Sequence, residues 1–232
     1  MPRTIAGIDE AGRGPLVGDM FVSLVALNES DLPKLRLSGV KDSKKLSPER
    51  REKLLIEILK LAQAIIVSRA TPSEIDERNI NTIFVEKACK CIALSYRRGI
   101  EIDIVYIDAA GDPSKTVSRI RACLSGFGIH SLEIVAEHGA DARYEIVGAA
   151  SIVAKVLRDS HIAELHRIYG DFGRGYPSDP RTIEWVKRCY EEHGDLPPIV
   201  RRSWSTLEKV LGIEVAKKKS RSLFDYVKRS NG

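Results

Sequence analysis

The chain has 232 residues, of which 43% are hydrophobic and 30% charged, with a formal net charge of +5. That is a globular composition with a heavily charged surface, long enough for one large domain or one domain with a small appendage. No apolar run reaches membrane length and no signal peptide is visible, which argues against a membrane or secreted protein and for a cytoplasmic one. The basic balance hints at a polyanionic partner, although 32 acidic residues require the positive charge to be patchy to matter.

In chain order, residues 4–9 read as a strand, followed by the turn-like Gly12-Arg13-Gly14-Pro15 and a second Val- and Leu-rich strand from Phe21 to Leu27. Ser47-Pro48-Glu49 opens a helix: a cap residue, proline at the first helical position and an acid near the positive end. Leu54, Leu55, Ile58, Leu59 and Ala62 are expected to form its buried stripe. A third strand is predicted from Ala64 to Ala70, a helix from about Thr82 to Gly99, a fourth strand from Ile102 to Asp108 and a fifth from Leu132 to Glu137. This order predicts an α/β fold, a mixed five-stranded sheet covered by helices on its faces. Strand signals stop near residue 165. Asp179-Pro180 opens a helix closing near Gly194, and Ser205-Thr206-Leu207-Glu208 reads as a capping box for another that stops at Gly212. The four cysteines, Cys89, Cys91, Cys123 and Cys189, show no zinc spacing and are read as reduced packing residues.

Chemistry is concentrated in acids at strand ends. Asp9 and Glu10 follow the apolar Thr4–Ile8, and Asp108 closes Val105-Tyr106-Ile107. Asp141 precedes a helix of small residues. Charges are costly to bury, so acids gathered at the ends of apolar strands call for water or a cation. Strand alternation prevents Asp9 and Glu10 from projecting the same way, so the strand is expected to break about there. The glycines of the following turn suit close approach of an anionic backbone.

Gly7-Ile8-Asp9-Glu10-Ala11-Gly12-Arg13-Gly14-Pro15, Asp42-Ser43-Lys44-Lys45-Leu46, Tyr106-Ile107-Asp108, Ala140-Asp141 with Tyr144, and Ala149-Ala150-Ser151-Ile152-Val153-Ala154-Lys155 with Arg158-Asp159 closely resemble type 2 ribonuclease H in its compact archaeal form. The resemblance covers roughly residues 4–190. It implies a ribonuclease-H-like catalytic domain, expected over 1–165 where strand signals end; a helical part over 166–215 and, from Lys217-Lys218-Lys219-Ser220-Arg221, a basic tail over 216–232 are expected to follow. It also implies hydrolysis of the RNA strand of RNA/DNA hybrids and cleavage 5′ to single ribonucleotides in duplex DNA. Asp9, Glu10, Asp108 and Asp141 match the family's four acidic positions. Hard oxygen ligands favour Mg²⁺ or Mn²⁺, and two such ions would serve an in-line displacement leaving 5′-phosphate and 3′-hydroxyl ends.

Gly12, Arg13 and Gly14 match the family's ribose-sensing turn, where bare backbone tests the 2′-hydroxyl. Tyr176 matches the tyrosine placed under the ribonucleotide's sugar, with a core tyrosine as the alternative. Lys44 or Lys45, and Lys155 with Ser151, are candidates for phosphate contacts, and His138 is either structural or a proton shuttle. A DNA resolvase of the same superfamily has no use for a 2′-hydroxyl reader. A type 3 ribonuclease H carries an added N-terminal domain, for which a strand beginning at residue 4 leaves no room. A non-catalytic hybrid-binding protein does not need the acids, and a phosphate loop of the G-K-[ST] type is absent. A monomer is expected.

Near the end of the chain, Leu223 and Tyr226 in Ser220-Arg221-Ser222-Leu223-Phe224-Asp225-Tyr226-Val227 resemble a sliding-clamp-binding peptide, one helical turn placing both on one side. Ser220 stands where glutamine is usual, and Val227 in place of a second aromatic. The alternative is a last turn packed on its own domain.

Overall fold

The structure is a computed structural model that describes residues 3–40 and 46–212. Lys44, Lys45, Leu223 and Tyr226 lie outside them. The elements run β1 (Thr4–Ala11), β2 (Met20–Asn28), α1 (Leu32–Ser38), α2 (Pro48–Leu61), β3 (Ala64–Ala70), α3 (Pro72–Glu77), α4 (Ile80–Arg97), β4 (Ile104–Asp108), α5 (Pro113–Ser125), β5 (Glu133–Glu137), α6 (Ala140–Arg143), α7 (Glu145–Tyr169), α8 (Pro180–His193) and α9 (Ser205–Leu211). Among the described residues no helix is long and apolar enough to cross a membrane. The described residues fall into two compact units, one within Met1–Ala11, Phe21–Ser68 and Phe84–Leu157, the other within Gly12–Met20, Arg69–Ile83 and Arg158–Gly232.

The sheet of the first unit has five strands in the order β3-β2-β1-β4-β5. β1 is antiparallel to β2 but parallel to β4, and β4 is parallel to β5, so the sheet is mixed as the element order predicts. β1, β2 and β4 coincide closely with apolar runs because runs buried on both faces are legible without alternation. Ile5, Val25, Leu27, Leu54, Ile58, Ile104, Ile146 and Val153 form one core, each such side chain adding about 1.5–3 kcal/mol when fully buried. Ser47 caps α2, its hydroxyl accepting from the Arg50 N–H at 3.3 Å. The small residues of α7 permit close packing. A Cβ on Gly7 would lie 2.2 Å from the Ile146 carbonyl oxygen, and Ser23 donates to the Ala150 carbonyl at 2.6 Å.

The second unit has its own core of Leu16, Val17, Ile162, Leu165, Phe172, Trp185, Val186, Leu196, Val200 and Leu207. α8 begins after the Asp179 cap and ends at Gly194 in the left-handed conformation, where glycine carries no Cβ penalty.

Four expectations are corrected. On α2 Leu54 and Ile58 are buried, but Leu59, expected in the same stripe, is exposed, because the helix turns it about 100° past Ile58 and out of the core. β1 does not break at the acids: its pairing with β2 continues through Glu10↔Val22 and Ala11↔Phe21, because the antiparallel partner still satisfies its backbone groups. Ser205 is the first residue of α9 rather than its cap; Trp204 takes the cap position without a side-chain bond, its carbonyl accepting from the Leu207 N–H at 2.9 Å. Finally, Cys89 on α4 and Cys123 on α5 form a disulfide, their Cα atoms 6.4 Å apart, while Cys91 and Cys189 are free thiols. Cysteines on separate helices meet through helix packing, which spacing along the chain does not reveal. Burial pushes the Cys91 thiol up to about 12, so it stays protonated and unreactive.

Candidate active site

The acids are positioned by the centre of the sheet. β1 and β4 run parallel with Ile8 opposite Ile107, so the next residues, Asp9 within β1 and Asp108 at the carboxyl end of β4, come side by side on adjacent strands. The chain leaves β1 for β2 on one side of the sheet and returns as β4 on the other. Such reversal points open a crevice beyond the strand ends in open α/β sheets. Asp141 arrives from the following turn. Gly139 adopts a left-handed conformation with φ +67 and leads into the short α6, where Asp141 is buried. The Gly139 N–H donates to Asp108 Oδ1 at 3.0 Å, tying this turn to the end of β4. One carboxylate oxygen from each of Asp9, Asp108 and Asp141 lies within 4.8 Å of the other two.

Glu10 is not in that group of three. It is half-buried and follows Asp9 in continuous strand, where successive side chains point to opposite faces. Its carboxylate stands outside the group of three, yet its charge still acts on Asp9.

The Asp9 carboxyl is held well above the usual aspartate range, first by burial and then by the charges of Glu10 and Asp108. Two bonds oppose the shift: the Ser151 hydroxyl donates to the carboxylate, as does the Glu10 N–H at 2.7 Å. Three acids so close repel one another unless protonated or bridged by a cation. Their donors are all hard carboxylate oxygens, the set that suits Mg²⁺, Mn²⁺ or Ca²⁺.

Ser151 is fully buried. Besides meeting Asp9, its oxygen accepts from Lys155 Nζ at 2.9 Å, so the side chain expected to meet phosphate is engaged with an acid. Lys155 lies one turn further along α7 and is half-buried. His138 Nδ1 is 2.6 Å from the Ala109 carbonyl oxygen; an oxygen that can only accept places the proton on Nδ1. Tyr144 stacks on Tyr106 with centroids 4.4 Å apart, and its hydroxyl donates to Glu137 at 3.1 Å.

In the second unit the Gly12-Arg13-Gly14 turn has a defined shape. Gly12 has φ +87, and a Cβ there would sit 2.5 Å from the Asp19 carbonyl oxygen, so only glycine fits. Gly14 is exposed, and the Tyr176 ring lies 3.8 Å from where its Cβ would stand. The backbone brings this about: the N–H groups of Leu16 and Val17 donate to the Gly175 carbonyl at 2.7 and 3.1 Å. The Arg158 guanidinium lies 5.2 Å from the Tyr176 ring centroid and donates to the Arg174 carbonyl at 2.7 Å. Arg13 donates to the side-chain oxygen of Asn81. Sequence reasoning missed Arg201, which is completely buried under this turn; a single arginine after Ile199-Val200 carries no periodic or motif signal.

A mixed sheet with carboxylates converging at the ends of its central parallel strands defines a nuclease of the ribonuclease H fold class. The family model for ribonuclease HII matches residues 6–207. Ribonuclease HII of Pyrococcus horikoshii is 45% identical over 207 residues, 89% of this chain and 92% of that protein. The crystal structure of ribonuclease H2 from the same organism superposes with a TM-score of 0.81 at 44% identity, covering 89% of this chain and 96% of that one. Ribonuclease HII of Archaeoglobus fulgidus, solved as a complex with PCNA, superposes with a TM-score of 0.77 at 38% identity over 95% of this chain and 99% of that one. The chain belongs to the ribonuclease HII family, and it is an endoribonuclease of the ribonuclease H type, a class that acts on RNA/DNA hybrids.

Proposed function

We propose that this enzyme hydrolyses the RNA strand of hybrids and also cuts on the 5′ side of single ribonucleotides embedded in duplex DNA, leaving 5′-phosphate and 3′-hydroxyl ends, in ribonucleotide removal and RNA primer processing. The convergence of Asp9, Asp108 and Asp141 within 4.8 Å carries the reading. These three carboxylates would hold divalent cations, Mg²⁺ or Mn²⁺, with Glu10, whose charge acts on Asp9, as the fourth acid beside them. When bound, such ions supply a lowered pKa for attacking water and charge to offset the departing 3′ oxygen. The fit rests on the Asp9 carboxyl: burial and two neighbouring acids disfavour its charged form, and a cation at the cluster would offset that penalty.

The chain's own residues do the rest. Ser151 fixes the orientation of Asp9, and Lys155 brings positive charge beside it, where a scissile phosphate would lie. Along the chain, the Gly12-Arg13-Gly14 turn begins two residues after Glu10. Its bare backbone would test for a 2′-hydroxyl, with the Tyr176 ring, 3.8 Å from the Gly14 Cβ position, against the sugar. Lys44 and Lys45 would add phosphate contacts. The test is incubation with Mg²⁺ or Mn²⁺ and three labelled duplexes: RNA/DNA, DNA with one ribonucleotide, and plain DNA. The first two should be cut and the third spared; equal cutting of plain DNA would sink the assignment.

The Archaeoglobus relative's complex with PCNA supports a second element of this reading, docking of Leu223 and Tyr226 on a sliding clamp. Deleting residues 220–232 should leave hydrolysis of short duplexes unchanged and remove clamp binding in a calorimetric titration. Clamp binding that survives the deletion would place the contact elsewhere.

A further inference from the structure

Arg201 is completely buried, and its guanidinium is spent on main-chain oxygens. Nη1 donates to the Arg13 carbonyl at 2.8 Å, Nη2 to the carbonyls of Gly12 and, at 2.8 Å, Gly18, and Nε to Gly18 at 3.0 Å. The Trp204 indole, 5.1 Å from the guanidinium carbon, donates to the Gly14 carbonyl at 3.3 Å. All three consecutive carbonyls of the Gly12-Arg13-Gly14 turn are thus held from one side. The next segment is anchored too: the N–H groups of Arg202 and Ser203 each donate to the Asp76 carboxylate at 2.8 Å.

Holding the oxygens orients the nitrogens. No peptide bond here is cis, and in a trans peptide the N–H points opposite to the C=O. Drawing the Gly12 and Arg13 oxygens toward the guanidinium therefore turns the N–H groups of Arg13 and Gly14 the other way. Pro15, which follows, contributes no N–H. We propose that Arg201, braced by Trp204, is the positioning residue for ribose recognition: it sets the peptide planes of the turn so that its N–H groups present a fixed donor pair to the sugar hydroxyl. This rests on the reading of the turn as the ribose sensor.

The side-chain chemistry suits the task. A planar guanidinium with five donors can serve three diverging carbonyls at once, whereas an ammonium is a single point on a flexible stem. Burial pulls Arg201 down to about 10, with Asp19 and Asp76 opposing the shift. It therefore remains charged at neutral pH, and charged donors make the stronger bonds.

The experiment uses the full chain and two duplexes that differ only in one ribose. The wild type is measured first. Failure to distinguish them sinks the ribose-sensor reading itself, whatever Arg201 does. Given discrimination, Arg201→Lys should lower kcat on the single-ribonucleotide duplex on the order of a hundredfold, as expected from losing two or three charged hydrogen bonds. Its Mn²⁺ affinity, read by calorimetry without nucleic acid, should be unchanged. Added guanidinium at millimolar concentration should restore activity to Arg201→Ala but not to Asp9→Asn. A folded Arg201→Lys enzyme with wild-type discrimination and kcat would overturn the proposal. Should Arg201 variants fail to fold, Trp204→Phe decides: losing one bond to Gly14 predicts about a fivefold lower kcat on the same duplex, with Mn²⁺ binding intact, and an unchanged kcat refutes it.

Discussion

The buried Ser151 hydroxyl donates to the carboxylate of Asp9. Its oxygen at the same time accepts from Lys155 Nζ at 2.9 Å. This chain of donors ties an acid of β1 to two residues one turn apart on α7, and the Ser151 bond is the main local force lowering a carboxyl that burial raises.

Ser151→Ala should therefore leave the fold intact but let the Asp9 carboxyl rise further. In metal-free protein the pH profile of Asp9 protonation, followed by NMR in EDTA, should move to higher pH. An unshifted profile would mean that the hydroxyl does not stabilise the ionised acid.

Asp9→Asn should lower activity by several orders of magnitude and raise metal-free stability at neutral pH. The sign follows from linkage. The folded carboxyl titrates above the unfolded one, so between the two values the native state holds more protons and stability falls as pH rises. The gain from asparagine should be absent below the ordinary aspartate range, grow through the window and be full above it. Melting curves with EDTA across pH test this; a variant less stable at high pH would contradict it.

Tyr176→Ala should reduce cleavage at a single ribonucleotide more than it reduces duplex binding. Loss of a stacking contact of about 1–3 kcal/mol, felt in the reacting geometry, appears in kcat. A variant that binds much more weakly but turns over normally would make Tyr176 a simple affinity contact.

Gly7→Ala should be severely destabilising although it adds one methyl group. Its Cβ would sit 2.2 Å from the Ile146 carbonyl oxygen, which belongs to helix backbone and cannot rotate away. Overpacking of this kind costs about 1–3 kcal/mol or more, and chemical denaturation should register it. A near-wild-type midpoint would mean that α7 lies further from the sheet.

Reducing agent, or Cys89→Ser, should lower thermal stability without changing kcat at moderate temperature. The Cys89–Cys123 bond closes a 34-residue separation between α4 and α5, and such cross-links add on the order of 2–4 kcal/mol. Intact-mass measurement with and without reductant checks that the bond forms.

The strands were legible in the sequence because they are apolar runs bounded by turn residues. The start of α2 was legible because Ser47 and Pro48 satisfy needs local to a helix end. The acids of β1 and β4 were visible for the same reason: each is a charge that interrupts an apolar run. Tertiary structure alone decided which of them meet. Parallel pairing of Ile8 with Ile107 sets Asp9 beside Asp108, and the turn at Gly139 adds Asp141. Unbroken pairing of β1 with β2 leaves Glu10 outside that group. The Cys89–Cys123 bond and the seat of Arg201 beneath the Gly12-Arg13-Gly14 turn were likewise invisible. Periodicity and capping report forces between near neighbours in the chain. Register, helix packing and the partners of a buried guanidinium depend on groups far apart in sequence, which only the folded chain brings together.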